Sequence, residues 1–135
     1  MKAPMMTLVM GLSVAQAVAD LGLDVGIKWP NDVVVSRKKI CGILTEMTMK
    51  QDKIGCAVIG VGINVNMESF PEEMADKATS LYLESGHVFD RAEVVGLVMK
   101  HFEENYEKFV QTEDLSELKA DYEKLLANLN QPVRV

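Results

Sequence analysis

Cysteine and long apolar runs are scarce in this chain. Only two of its 135 residues are cysteine, Cys41 and Cys56, and no cluster of other metal-binding side chains surrounds them. This excludes a disulfide-rich scaffold and argues against a metal site. If the strands that hold them form a hairpin turning near residue 50, Cys41 faces about Gly60. We therefore expect two free thiols and a reducing, cytoplasmic environment.

Basic charge is also in short supply. The net charge is −6, which does not favour a nucleic-acid partner. Residues 1–66 hold seven Lys and Arg against five Asp and Glu, whereas residues 67–135 hold seven against fifteen. The acidic half is expected to be a solvated helical surface. A hydrophobic fraction of 48% and a charged fraction of 25% are typical of one globular domain.

Two interpretations fit the first nineteen residues. Lys2, an apolar run and Ala17-Val18-Ala19 are similar to a secretory signal. Because Pro4 and several polar residues interrupt the run, a buried core helix over residues 5–21 is the alternative. No other stretch is long enough to span a bilayer, so no membrane partner is expected.

Hydrophobic periodicity predicts alternating strands and helices. A nearly continuous apolar strand at 54–61 is expected to be central and covered on both faces. Residues 67–76 are predicted to form a surface loop. The stripe Val95, Val98, Phe102, Tyr106 and Phe109 is expected to face the core of a helix that begins near Asp90. The predicted elements are strands 26–29, 32–36, 39–49 and 54–61, helices 5–21, 78–84, 90–109 and 114–129, and a final strand 131–135.

The run Lys28-Trp29-Pro30-Asn31-Asp32 is the most informative segment. Proline and its restricted predecessor exclude a helix interior, and the β-branched residues that follow start a strand. Lys39 follows seven residues after Asp32, in a Lys-Ile-Cys-Gly-Ile-Leu-Thr-Glu run. Charged groups at the ends of neighbouring strands suit a site for an anionic small molecule. The segment 60–66, Gly-Val-Gly-Ile-Asn-Val-Asn, does not complete a dinucleotide-binding G-x-G-x-x-G pattern.

These three segments closely resemble the biotin–protein ligase family, in order and in spacing, from about Pro4 to Val135. The resemblance implies an α/β (α+β) fold, with a mixed sheet flanked by helices as in class II synthetases. It implies that ATP and biotin form biotinyl-5′-AMP, which is then transferred to a lysine of a biotin carboxyl carrier protein. Magnesium is expected to arrive with ATP, held mainly by phosphates and water. A homodimer or other self-association is expected.

The resemblance also implies roles for individual residues. Lys39 matches the ligand-contacting lysine, which would neutralise the carboxylate and the α-phosphate that must be joined. Lys28 is a second cation, and Asp32 would steer or deprotonate the acceptor lysine or orient Lys39. The alternatives are an exposed turn lysine at 39, a Lys28–Asp32 pair, and an Asp32 carboxylate bonded to local backbone.

Two further groups of residues match ligand-lining positions of the family. Gly42 and Ile43 match the biotin pocket, and Gly60, Gly62, Ile63 and Asn64 match the adenine side. The glycines could instead serve tight strand packing alone. Trp29 is interpreted as a packing wall, and Asn31 as a residue that locks the turn.

The family's upstream G-R-G-R loop has no counterpart in this sequence. We therefore expect residues 1–130 to be the C-terminal portion of the catalytic domain and residues 131–135 to begin a C-terminal β-barrel. No DNA binding by this chain is expected. A lipoate–protein ligase relative and a non-catalytic binding or dimerisation remnant remain as alternative hypotheses, and the isolated chain is expected to be a poor catalyst.

Overall fold

The computed structural model describes residues 3–28, 32–50 and 53–112. Trp29 and Asn31, the predicted helix 114–129 and the predicted strand 131–135 lie outside these ranges. The described elements, in chain order, are α1 (Ala3–Asp20), β1 (Val25–Lys28), β2 (Asp32–Val35), β3 (Lys38–Lys50), β4 (Lys53–Ile63), α2 (Leu81–Ser85) and α3 (Arg91–Thr112).

The four strands form one sheet in the order β1-β2-β3-β4, and each neighbouring pair is antiparallel. The turn between β2 and β3 consists of Ser36 and Arg37, both with positive φ (54° and 66°). Two consecutive residues of that kind give the turn a twist that suits a two-residue hairpin. The short connections therefore produce a simple meander, as the order of predicted strands indicates.

Helix α1 covers one face of this sheet. Its buried side chains include Leu12, Val14 and Val18, and they belong to the same core as Ile27 and Val33 of the strands. The prediction of a core helix here is confirmed. The helix ends at Asp20, and the turn that follows contains Gly22, whose φ of 91° favours glycine. In the described part of the chain, no helix is long and apolar enough to cross a membrane.

Helix α3 packs on α1 through a polar as well as an apolar interface. The Asn105 amide donates to Ser13 Oγ at 3.0 Å and to Gln16 Oε1 at 2.8 Å. Both Ser13 and Asn105 are buried, so this small network fixes how the two helices meet. Nearer the end of α1, His101 Nε2 lies 2.6 Å from Asp20 Oδ2.

The predicted core stripe of α3 was partly wrong. Val98 and Phe109 are buried, but Val95 and Tyr106 are 57% and 42% exposed. The buried face also contains Val94 and Asn105, one position away from the expected residues. An apolar stripe identifies a helix face only to within about one residue, and here a polar side chain occupies a core position.

Strand β4 was wrongly predicted to be central. Among the described strands it lies at the edge of the sheet. Within residues 58–63, the part of β4 whose side chains are described, Ile59, Val61 and Ile63 pack against the core. Val58 is 60% exposed on the other face, opposite Glu46 of β3. The apolar run reflects two environments, a helix-covered face and an open face rich in glycine.

Two smaller predictions also need correction. Cys41 lies opposite Ile63, not near Gly60, although it is a free, buried thiol as expected. Helix α2 starts at Leu81, not at 78, because Ala78 forms a parallel bridge with Lys39. Ser80 caps the helix by accepting a bond from the Leu83 N–H at 3.1 Å.

Candidate functional site

Four residues from four strands form a single row across the open face of the sheet. Lys28 lies opposite Asp32, Asp32 opposite Gly42, and Gly42 opposite Gly62. Side chains of directly opposed residues project from the same face of a sheet. The three sequence motifs therefore meet in one line, with charge at one end and bare backbone at the other.

A β-bulge places Lys39 on that same face. Cys41 pairs with Val33 and Lys39 pairs with Val34, so Ile40 is an extra residue in β3. Strand alternation alone would put the odd-numbered Lys39 on the face opposite Gly42. The inserted residue reverses this relation, and Ile40 instead becomes fully buried in the core.

The Lys39 ammonium lies over Gly42 and reaches Asp32. Its Nζ is 3.3 Å from Asp32 Oδ1, and the two side chains are 50% and 28% exposed. A Cβ at Gly42 would lie only 3.1 Å from both Cε and Nζ of Lys39. Asp32 thus forms its ion pair with Lys39 even though Lys28 is its neighbour in the row. This geometry favours the interpretation that Asp32 orients Lys39.

A cavity of about 470 Å³ opens beside this row. Its volume suits a small ligand, and much of its lining is apolar. Five of the predicted site residues lie in its lining, namely Lys39, Gly42, Gly62, Ile63 and Asn64. The remaining lining residues are Cys41, Met67, Phe70, Pro71, Met74 and Ala78.

One wall of this cavity was missed by sequence reasoning. Met67, Phe70, Pro71 and Met74 lie in the segment that was predicted to be an ordinary surface loop. Met67 and Met74 are 43% and 48% exposed, so this wall presents apolar surface to the cavity. The sequence did contain a signal for this wall, namely several apolar residues within an acid-rich stretch.

One predicted residue, Ile43, is placed differently from the rest. Ile43 is only 3% exposed, and its Cδ1 would lie 3.7 Å from a Cβ on Gly11 of α1, so its side chain faces the core. Leu44, by contrast, is 64% exposed on the open face, opposite Gly60. Of this pair of neighbours, Leu44 is the one that presents an apolar side chain to a ligand on the sheet.

The Cys41 thiol borders the cavity but is protonated at neutral pH. Burial raises its pKa to about 12, an effect that the nearby Lys39 ammonium only partly offsets and that the Asp32 carboxylate slightly reinforces. A thiol with a pKa this high is a poor nucleophile. Cys41 therefore belongs to the packing beneath the site.

The donor set of the site suits anions and a flat apolar group better than a dedicated metal centre. Within residues 3–28, 32–50 and 53–112, no three His, Cys, Asp or Glu residues are arranged to hold a metal ion. A magnesium ion that entered with a nucleotide would find Asp32 as the nearest carboxylate in the row, already paired with Lys39.

Comparisons with known proteins identify the family of this chain. Residues 1–64 match the model of the biotin/lipoate A/B protein ligase family. The bifunctional ligase/repressor BirA of Bacillus spizizenii is 43% identical over 112 residues, which covers 81% of this chain and 34% of that protein. The biotin–[acetyl-CoA-carboxylase] ligase of Mycobacterium tuberculosis is 32% identical over 135 residues, covering 96% of this chain and 47% of that protein.

A solved structure gives the same result in three dimensions. The biotin protein ligase from Aquifex aeolicus, in complex with biotin and ATP, superposes with a TM-score of 0.81 at 38% sequence identity. The match covers 93% of this chain and 52% of that one. The chain therefore spans between about a third and a half of the length of these relatives.

Proposed function

Because the chain belongs to the biotin/lipoate A/B protein ligase family, we propose that it supplies the Lys39 side of a site that activates biotin with ATP. The observation that carries this proposal is the position of the Lys39 ammonium. It lies on a glycine floor, 3.3 Å from Asp32, at the edge of a 470 Å³ cavity. No other cation among the described residues lines that cavity.

In the first step, a carboxylate oxygen of biotin attacks the α-phosphorus of ATP, and the bond to the β-phosphate breaks to release pyrophosphate. Two anions must approach each other, and an ammonium between them lowers the electrostatic cost. Lys39 is suited to this because Gly42 leaves room for both the lysine and a ligand. Lys28, at the far end of the row, provides a second positive charge for the phosphates.

In the second step, the neutral amine of an acceptor lysine attacks the acyl carbon of biotinyl-5′-AMP, and AMP leaves. The acceptor would be a biotin carboxyl carrier protein. The incoming ammonium must lose a proton, and Asp32 is the carboxylate placed to attract it and accept that proton. The same carboxylate orients Lys39 in the first step. Orienting Lys39 and accepting the proton are therefore roles that Asp32 would have at different times.

The ligand is proposed to lie along the open face. The apolar part of biotin would rest on Gly42 and the exposed Leu44, and the adenine side would fill the cavity next to Gly62 and Ile63. Gly60, first assigned to the adenine side, lies opposite Leu44 and outside the cavity lining, so it is reassigned to the biotin side. Magnesium would accompany ATP, bound mainly by phosphate oxygens and water. In this assignment, Leu44 supplies the apolar side chain that was expected from Ile43. The contribution of Ile43 is limited to its backbone.

A direct experiment measures exchange of labelled pyrophosphate into ATP, with biotin or lipoate as the driving acid. Exchange driven by biotin is expected to be slow, because the G-R-G-R loop has no counterpart in this sequence, and exchange driven by lipoate would favour a lipoate–protein ligase. Lys39→Ala is expected to weaken binding of biotinyl-5′-AMP about 10- to 100-fold, the worth of a charge-assisted hydrogen bond. Lys38→Ala, at the neighbouring position of the same hairpin, is the matched control. Equal affinities for the two variants in calorimetry would refute the role of Lys39.

A second candidate function is binding without catalysis. The open face of β3 and β4 displays the exposed Leu44 and Val58, and β4 is an edge among the described strands. Such an edge can pair with another strand, including that of a second copy. Biotin binding without exchange, together with a dimeric mass in sedimentation equilibrium, would favour this function.

A further inference from the structure

The backbone of Lys39 is held by a segment that is distant in sequence. The pairing of β3 with β4 ends at Cys41 and Ile63, so Lys39 lies beyond the end of that ladder. Its N–H donates to the carbonyl of Lys77 at 2.8 Å, and its carbonyl accepts the N–H of Thr79 at 2.9 Å. The direction in which the Lys39 side chain leaves the sheet therefore depends on residues 77–79 as well as on its pairing with Val34 of β2.

Asn64 in turn holds this segment in place. Its side-chain Nδ2 donates to the carbonyl of Thr79 at 3.2 Å. Its backbone N–H donates to the carbonyl of Ile40 at 2.8 Å, and its carbonyl accepts the N–H of Leu81 at 3.0 Å. One residue thus joins β3 just after Lys39, the supporting segment, and the start of α2.

The side-chain contacts of Lys39 are too weak to position it alone. Its ion pair with Asp32 involves one half-exposed and one partly exposed side chain, and such pairs contribute little. A long lysine side chain also loses conformational entropy when its ammonium is held in one place. A fixed backbone reduces the number of conformations that remain.

We propose that Asn64 is a positioning residue for Lys39, acting through residues 77–79. Only the consequence of this positioning for ligand binding rests on the proposed function. The hydrogen bonds themselves do not depend on any ligand. It adds to the role first assigned to Asn64: one amide N–H bonds to the Thr79 carbonyl, and the same amide has a second N–H and an oxygen with which to contact a nucleotide base.

The same connection reaches the wall of the cavity. The carbonyl of Met74 accepts the N–H of Lys77 at 2.9 Å and that of Ala78 at 3.0 Å. A ligand that presses on Met74 therefore acts on the segment that holds Lys39. These two hydrogen bonds link the cavity wall at Met74 to the segment that holds Lys39.

The chain contains a matched control for Asn64. Asn66, two residues further on, also fixes a loop through its side chain: Nδ2 donates to the carbonyl of Phe89 at 2.8 Å, and Oδ1 accepts its N–H at 2.9 Å. Neither of these bonds leads to Lys39. Asn64→Ala and Asn66→Ala both remove side-chain support from a loop, but only the first releases the segment behind Lys39.

The test compares these variants in the full chain without ligand. The readouts are hydrogen exchange of the Lys39 backbone N–H and the carbon NMR signal of Lys39 Cε, assigned through Lys39→Ala. In Asn64→Ala we expect exchange at Lys39 to accelerate at least tenfold and the Cε signal to shift. In Asn66→Ala both are expected to remain as in the parent chain, while the midpoint of thermal unfolding falls.

Asn64→Asp keeps the size of the side chain while removing the N–H donor, and it replaces Asn64→Ala if that variant does not fold. Unchanged Lys39 signals in a folded Asn64 variant would overturn the proposal, as would equal changes in Asn66→Ala. If Asn64→Asp binds biotinyl-5′-AMP more weakly with Lys39 signals unchanged, Asn64 contacts the nucleotide directly. If the signals move but the parent chain binds no biotinyl-5′-AMP, the positioning stands and the proposed function fails.

Discussion

A methyl group added at Gly42 should separate the function of the site from the stability of the fold. In Gly42→Ala the new Cβ would lie 3.1 Å from Cε and Nζ of Lys39, where carbon contacts are normally about 3.5–4.0 Å. The lysine end must therefore shift by a few tenths of an ångström. Its distance to Asp32 is already 3.3 Å, so we expect the ion pair to weaken.

The expected effect on stability is small because two contributions oppose each other. An ion pair with this exposure contributes less than about 1 kcal/mol. Alanine is favoured over glycine in a strand by roughly 0.5–1 kcal/mol. We therefore expect the free energy of unfolding of Gly42→Ala to remain within about 1 kcal/mol of the parent value. Binding of biotinyl-5′-AMP should nevertheless weaken about 10- to 100-fold, since a charge-assisted hydrogen bond is lost.

Urea denaturation and calorimetry measure the two quantities on the same sample. Gly62→Ala is the control for the lysine geometry, because a Cβ there meets nothing within 4 Å although Gly62 lies directly opposite Gly42. It should leave the Lys39 Cε signal unchanged. Unaltered affinity in Gly42→Ala, or a loss of stability above about 2 kcal/mol, would refute this reasoning.

Three further outcomes are expected. Asp32→Asn should slow transfer to the carrier more than adenylate formation, and half-reaction rates with the opposite order would contradict its proposed role. Burial raises the pKa of Cys41 from 9.0 to about 12, so the unfolded chain ionises first. Its contribution to stability is complete below pH 9 and is lost as pH rises towards 12, and Cys41→Ala should flatten that part of the stability profile. Asn105→Ala should lower the free energy of unfolding by roughly 1–3 kcal/mol in urea titrations, since it leaves buried Ser13 with one partner fewer.

The sequence predicted the elements better than their surroundings. The order of strands, the core helix and its end near Gly22 follow from periodicity and from glycine and proline positions, which act locally. The number of covered faces of β4 does not follow, because an apolar run in the sequence is the same whether one face of the strand or both are covered. Likewise, the exposed Val95 has the same hydrophobicity as the buried Val94 beside it.

The same distinction between local pattern and folded surroundings applies to the candidate site. Lys28, Asp32, Gly42 and Gly62 could be identified because each belongs to a segment with a recognisable motif. Their alignment in one row could not, because it depends on three strand registers at once. The cavity wall that contains Phe70 was missed for a related reason, since only folding brings this loop beside the sheet residues that line the same cavity.

The bulge at Ile40 decides whether there is a site at all, and energetics explain why it forms. Burying an isoleucine side chain contributes roughly 1.5–3 kcal/mol, and Ile40 is fully buried. The bulge disrupts the ladder locally, and a single hydrogen bond is worth about 1 kcal/mol net. Regular pairing would place Ile40 on the open face and turn the Lys39 ammonium towards the core, where an unpaired charge is far more costly. Core packing thus selects the bulged register, and the same register brings the ammonium to Asp32 on the open face.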